Sequence, residues 1–347
     1  MAFESSALHR ATNADLLNAH YGLSVTAVQK MKLGTANCYR VCSGEKRYFL
    51  KEFQSRFQEV DLLREAKLAN YLAEHGIPTA RFILTDHGEP FLTVRGHLVC
   101  LEEYIDGIPY GYNDFPEKLL QEEAAMLGKL HQALAGYELP VGMAGEWLNA
   151  FSAEKAMLQY DTLLAELEKH RNDQNYEKIK SDLIYKKDLI SRADELAGYY
   201  AGVTYSPSHG DYQGCQLICG EDHIKAVIDF SSAKTLPVVW EIMRSYVQSS
   251  ARCRDQAKID IAGLCGYVGE YMKYSPLTET DLKAMPYVYL FQLARSKYGY
   301  NEYLTTDSED RGGLLQFAFW RTDMCREVDS KAKMIAEALA GLKRDIS

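Results

Sequence analysis

The sequence predicts an α+β chain of two lobes, a small antiparallel sheet with one helix over residues 1–104 and a mostly helical lobe over 105–347. Three observations carry this expectation. Segments with strand patterning crowd the first hundred residues, and only one of the segments between them has a long helical repeat. From Pro116 onward the apolar residues recur mainly at three- and four-residue spacing. The 347-residue length also exceeds what one hydrophobic core usually organises.

Taken in order, a short capped helix is expected at 12–20, followed by strands at 21–32 and Cys38–Cys42. The small-residue turn between these strands, Leu33-Gly34-Thr35-Ala36-Asn37, offers backbone N–H groups of the kind that cover phosphates. Arg47–Phe53 is an aromatic and apolar strand that carries Lys51. A helix from Gln58 to Glu74 follows, with Leu62, Ala66, Ala69 and Leu72 on one face and Glu65 beside that stripe. Gly76-Ile77-Pro78 ends it, since glycine suits a helix C-terminus and proline cannot continue one. Strands are then expected at 82–85, 90–94 and 97–104, the last running into Ile105-Asp106-Gly107. Beyond the lobe boundary near Tyr104, helices are expected at 116–134, 153–170, 176–200, 255–275, 279–303 and 309–342.

The stretch Ser208–Ala233 interrupts the helices. It reads as a loop, a short strand Leu217–Cys219, a turn at Gly220-Glu221-Asp222 and a second strand Ile224–Ile228 ending in Asp229. Asp211 precedes this hairpin and Asp229 ends it, and Gln216 lies five residues after Asp211. An acid that can take a hydroxyl proton, followed by an amide and a second acid for Mg²⁺, is the order found in phosphoryl-transfer catalytic loops. A strand lysine fixed by a helix glutamate, here Lys51 with Glu65 and Glu59 in reserve, is the pairing that holds α- and β-phosphates in such sites.

His209-Gly210-Asp211 and Ile228-Asp229-Phe230, with Arg64-Glu65 to Leu68 and His75-Gly76-Ile77-Pro78, resemble the aminoglycoside phosphotransferase and choline-kinase-like family. The resemblance runs from about Tyr21 to Tyr303. Gln216 stands where that family usually has asparagine, and Glu241 where it usually has aspartate in the segment opening the next helix.

The resemblance implies a bilobal protein-kinase-like fold and transfer of the ATP γ-phosphoryl group to a hydroxyl of a small acceptor. Asp211 would receive the hydroxyl proton, Lys51 and Glu65 would hold the phosphates, and Gln216 and Asp229 would hold Mg²⁺. Gly34 would lie in the phosphate-covering turn, and backbone around Glu102, Glu103 and Tyr104 would meet adenine. His209 would shape the loop. Relatives act on aminoglycosides, amino alcohols, homoserine and sugars, and no residue here selects among these acceptors. A non-catalytic kinase-like binding or spore-coat-type structural protein is the alternative, raised by Gln216 and the single glycine of the turn. A two-carboxylate glycosidase leaves Lys51 and Glu65 unexplained.

Composition narrows the partners. The net charge of −9 and the absence of a basic stripe argue against nucleic acid. No apolar run approaches membrane-spanning length. The N-terminus lacks a charged segment followed by an apolar core, so no signal peptide is expected and the expected location is the cytoplasm. Eight cysteines without a C-x-x-C pair are expected to be free thiols. The tyrosines of the last helices could form a cage for a cation or stack on a sugar ring, but residues of this kind are more often core and groove wall. Nothing in the sequence bears on oligomeric state.

Overall fold

The structure is a computed structural model that describes residues 6, 8, 10–31, 36–55, 57–141, 151–306 and 310–346. The chain divides into two compact units. One comprises Met1–Pro109 with Gln216–Ser232, and the other Tyr110–Cys215 with Ala233–Ser347. The hairpin after Asp211 thus joins the first unit, while Asp211 itself belongs to the second.

In the first unit, α1 (Arg10–Tyr21) precedes strands β1 (Val25–Met31), β2 (Asn37–Ser43) and β3 (Lys46–Glu52). Helix α2 (Glu59–Glu74) leads to β4 (Phe82–Ile83), β5 (Leu92–Val94), β6 (His97–Glu103) and β7 (Ile108–Pro109). Six of these strands form an antiparallel sheet in the order β1-β2-β3-β6-β4, with β5 paired to β6. Strand alternation sorts the side chains. Tyr39, Val41, Leu50, Val99 and Leu101 share a buried cluster with Leu17 and Tyr21 of α1. Lys51 pairs directly with Cys38 and Cys100, so these three residues share the opposite face. Helix α2 buries Leu62, Ala66, Leu68, Ala69 and Leu72. Each leucine so buried contributes roughly 1.5–3 kcal/mol.

The hairpin Leu217–Cys219/Ile224–Val227 also lies in this unit, where its first strand pairs with β7. A Cβ at Gly107 would stand 2.5 Å from the Ile218 side chain and 2.7 Å from the Cys219 carbonyl. Only glycine fits where the chain enters β7 that closely.

The second unit is mostly helical. Its helices are α3 (Leu120–Ala133), α4 (Ala153–Leu167), α5 (Tyr176–Ser191), α6 (Ala193–Gly198), α7 (Val238–Ser249) and α8 (Ala251–Gln256). These are followed by α9 (Ile261–Met272), α10 (Glu279–Arg295), α11 (Tyr300–Thr305) and α12 (Arg311–Ile346). Strands Tyr205–Ser208 and Lys234–Pro237 pair antiparallel, bracketing in sequence the excursion into the first unit.

Three of the expected helices are each broken in two, the 255–275 helix between Gln256 and Ile261, where Ala257 is left-handed. The 176–200 helix breaks at Arg192. The 279–303 helix breaks before Gly299, whose φ of +91° is left-handed and whose Cβ would meet the Leu314 carbonyl at 2.4 Å. Helix α10 starts with a capping box, in which Thr278 accepts from the Asp281 N–H and Asp281 accepts back from that of Thr278. All eight cysteines are free. Among the described residues, no helix is long and apolar enough to cross a membrane.

Candidate active site

The first unit assembles a charged group around Lys51. Its ammonium lies 3.8 Å from a Glu65 oxygen and 3.5 Å from Asp229 Oδ1. Burial works against the lysine's charge, yet Glu65, Asp229 and Glu102 overcome it and hold its pKa well above the ordinary value. Burial pushes the Glu65 carboxyl up to about 7, against the pull of Lys51. Glu65 also accepts from the Phe230 N–H, so α2 is bonded to both the strand lysine and the segment after Asp229. Glu59 is the first residue of α2, whereas Glu65 is among the helix's buried residues.

Asp229 has a φ of +64°, a left-handed conformation uncommon outside glycine. Ser231 Oγ donates to its carboxylate at 2.8 Å, holding the side chain against the turn. Across the hairpin, the Ile228 N–H donates to the Gln216 carbonyl at 3.0 Å. The fold therefore places Gln216 opposite the residue before Asp229 and supplies two hard oxygen donors, an amide and a carboxylate. That donor chemistry suits Mg²⁺, which takes one or two protein ligands with phosphate and water. Among the described residues, no group of three or more His, Cys, Asp or Glu forms a metal cluster.

The end of β6 is partly committed to the protein. The Glu103 N–H donates to the Arg81 carbonyl at 2.9 Å, and Glu103 accepts in turn from the Arg81 N–H. Burial raises the pKa of Glu102, which accepts from Cys100 Sγ at 3.4 Å. The Tyr104 ring lies 5.3 Å from the Arg47 guanidinium. Gly34 lies outside the described residues.

In the second unit, hydrogen bonds fix the loop that carries Asp211. Buried Glu241 accepts from the N–H groups of His209 and Gly210, and its Oε2 lies 2.9 Å from His131 Nε2. Burial opposes ionisation of Glu241, but these partners prevail and lower its pKa. Gly210 has a φ of +82°, which glycine adopts without a Cβ penalty. His131 also bonds the Tyr271 hydroxyl at 2.8 Å, so both of its nitrogens are engaged. Further along, the Gly214 N–H donates to Ser249 Oγ at 3.0 Å, and the Tyr212 hydroxyl donates to the Glu123 carbonyl at 2.9 Å. Asp211 is partly exposed and accepts from Gln213 Nε2 and Arg244 Nη2.

Several of these groups were not legible as site residues. Glu241 shows in the sequence only as a departure from a family pattern, and His131 as a histidine at the edge of the apolar stripe of its helix, where it is buried. Arg244 gave no signal except its place one turn after Glu241. Of the tyrosines, Tyr267, Tyr271 and Tyr300 are buried with their hydroxyls bonded to Ser245, His131 and Asp182. They serve the core and form no cage.

Residues 28–275 match the model of the phosphotransferase enzyme family, APH. A spectinomycin phosphotransferase solved with ADP and spectinomycin is similar, at 16% identity and a TM-score of 0.61, over 98% of this chain and 100% of that one. An aminoglycoside phosphotransferase from Alicyclobacillus acidocaldarius aligns at 15% identity and a TM-score of 0.64, covering 95% and 98%. A microcompartment-associated aminopropanol kinase aligns at 14% identity and a TM-score of 0.61, covering 94% and 98%. No curated protein matches the sequence. With a family match over most of its length and a protein-kinase-like fold, the chain belongs to the phosphotransferase enzyme family and is a phosphotransferase acting on hydroxyl groups.

Proposed function

We infer that the protein transfers the γ-phosphoryl group of ATP to a hydroxyl of a small molecule. The observation that carries this reading is Lys51 held between Glu65 and Asp229, a buried cation positioned by two acids as phosphate binding requires. The acceptor hydroxyl oxygen forms the new bond to the γ-phosphorus, the bond to the β–γ bridging oxygen breaks, and ADP leaves. Asp211 takes the hydroxyl proton, and Glu241 orients it indirectly by fixing the His209 and Gly210 amides. Gln216 and Asp229 are the residues that would hold Mg²⁺, which when bound neutralises phosphate charge. In this reading residues 1–104 supply nucleotide contacts, including backbone near Tyr104, and residues 105–347 supply the proton acceptor and the acceptor site. The ADP and AMP found with spectinomycin phosphotransferase support nucleotide binding here.

The test is a thermal melt with and without Mg-ATP. The wild-type protein gains stability, and Lys51→Met, compared with its own ligand-free melt, gains far less. Equal shifts in the two proteins would remove Lys51 from the nucleotide site.

A further inference from the structure

The loop that carries Asp211 is gripped at Gly214 from two sides. On one side the Gly214 N–H donates to Ser249 Oγ at 3.0 Å. On the other lies the buried Phe115 ring, so close that a Cβ at Gly214 would stand 2.5 Å from it. Arg254 of α8 ties these two sides to each other. Its Nη1 donates to the Ser249 carbonyl at 2.8 Å, and both Nη1 and Nη2 donate to the Phe115 carbonyl at 3.0 Å. Gly214 thus sits in a clamp whose jaws are bonded together.

The hydroxyl in this clamp has a fixed direction. Ser249 is the last residue of α7, and a serine in a helix often turns its hydroxyl back to a carbonyl of the preceding turn. Here buried Glu123 of α3 takes the Ser249 proton instead, at 2.6 Å, which leaves the serine oxygen to accept from the Gly214 amide. Ser245, one turn earlier on α7, is a built-in comparison. It is equally buried and donates to the same Glu123 oxygen at 3.0 Å. Its oxygen, however, pairs with the Tyr267 hydroxyl of α9 at 2.6 Å and not with a loop amide.

Ahead of Asp211, Glu241 holds the His209 and Gly210 amides. The carboxylate is therefore carried between two anchored stretches of backbone, and loosening either lets it drift. We propose that Ser249, oriented by Glu123, is a positioning residue for phosphoryl transfer: it holds the Gly214 amide and so keeps Asp211 at a fixed place. This rests on the kinase reading for the role of Asp211. A shift of about 1 Å in a reacting group can cost on the order of 100-fold in rate.

The experiment compares Ser249→Ala with Ser245→Ala in the full chain. Each removes one hydroxyl from the same carboxyl oxygen, so both lose stability, but only the first frees Gly214. Two readouts are taken well below the melting temperature of either variant. One is ADP release from Mg-ATP with water as the hydroxyl, which needs no identified acceptor. The other is hydrogen exchange of the Gly214 amide. Ser249→Ala lowers kcat by about 10- to 100-fold with the KM for Mg-ATP held, and its Gly214 amide exchanges faster. Ser245→Ala keeps both readouts near wild type. Burial pushes the Glu123 carboxyl up to about 8, so it is uncharged near neutral pH and Glu123→Gln still offers Ser249 an oxygen. That variant keeps more turnover than Glu123→Leu, which offers none.

Equal losses of kcat in the two serine variants overturn the proposal, as does a Ser249→Ala kcat that matches wild type. A wild-type protein that neither gains stability with Mg-ATP nor releases ADP refutes the kinase reading, and the exchange comparison still decides whether Ser249 holds the loop. If the variants fail to fold, exchange in the wild type decides. A protected Gly214 amide upholds the clamp, and one that exchanges at the rate of an unbonded amide overturns it.

Discussion

Asp211 and Gln216 are five residues apart but belong to different units, and their predicted contributions differ accordingly. Asp211→Asn keeps the volume and removes the charge that receives the proton. Turnover should fall by about 10²–10⁴-fold, the usual range for a lost general base. Nucleotide affinity, read as the Mg-ATP thermal shift, should be retained, because Lys51 and Asp229 are untouched. A variant that lost nucleotide binding would show that Asp211 holds the loop together. For Gln216, replacement by asparagine keeps the amide oxygen, and replacement by leucine removes it. Activity should survive in Gln216→Asn and collapse in Gln216→Leu, with the Mg²⁺ dependence of turnover as the readout. Indistinguishable Mg²⁺ dependence in the two variants would place the amide away from the metal. Both residues could be picked out from the sequence because they stand five residues apart in the stretch that leads into the hairpin, a local spacing. Arg244 could not, because its bond to Asp211 depends on how α7 packs beneath the loop.

At the scale of elements, α3 and α7 are joined by a buried carboxyl. Glu123 Oε1 accepts from Ser245 Oγ at 3.0 Å and Ser249 Oγ at 2.6 Å, while Oε2 has no hydrogen-bond partner. Burial raises its pKa to about 8, with the two serines pulling against it. A folded carboxyl at about 8, with an ordinary value of 4.5, retains a proton that the unfolded chain has lost. Its contribution to stability is complete below pH 4.5, falls as pH rises through that window, and is gone above about 8. Glu123→Gln cannot titrate. The stability difference between wild type and this variant, measured by urea unfolding from pH 4.5 to 9, should therefore drift against the wild type and then level off. Parallel curves would mean that Glu123 is ionised in the folded protein. The same helices explain where the sequence reading stopped. Leu120, Leu127 and Leu130 marked the buried face of α3 by periodicity, but the serines that meet Glu123 lie more than a hundred residues away.

For the whole molecule, the consequence of nucleotide binding is a measurable gain in stability. With Mg-ATP at about 100 times its Kd, the folded state gains about 2.7 kcal/mol. At roughly 2–4 °C per kcal/mol for domains of 150–250 residues, the melt should move by about 5–10 °C. No movement at millimolar Mg-ATP would return the chain to a binding or scaffold role.

What the sequence determined by itself is what local spacing encodes. Strand alternation placed Lys51 on a sheet, helical periodicity placed Glu65 beside a buried stripe, and the hairpin signal brought Gln216 close to Asp229. Tertiary structure decided the rest. Whether Glu65 or Glu59 meets Lys51 depends on how α2 is rotated against the sheet, and that rotation is set by Leu62, Ala66, Leu68 and Leu72 together. That Glu241 receives the amides of His209 and Gly210, and that Arg244 turns one donor to Asp211 and leaves another unused, follows from α7 lying under the loop. Burial and long-range packing set these contacts, and residue order along the chain carries no direct record of either.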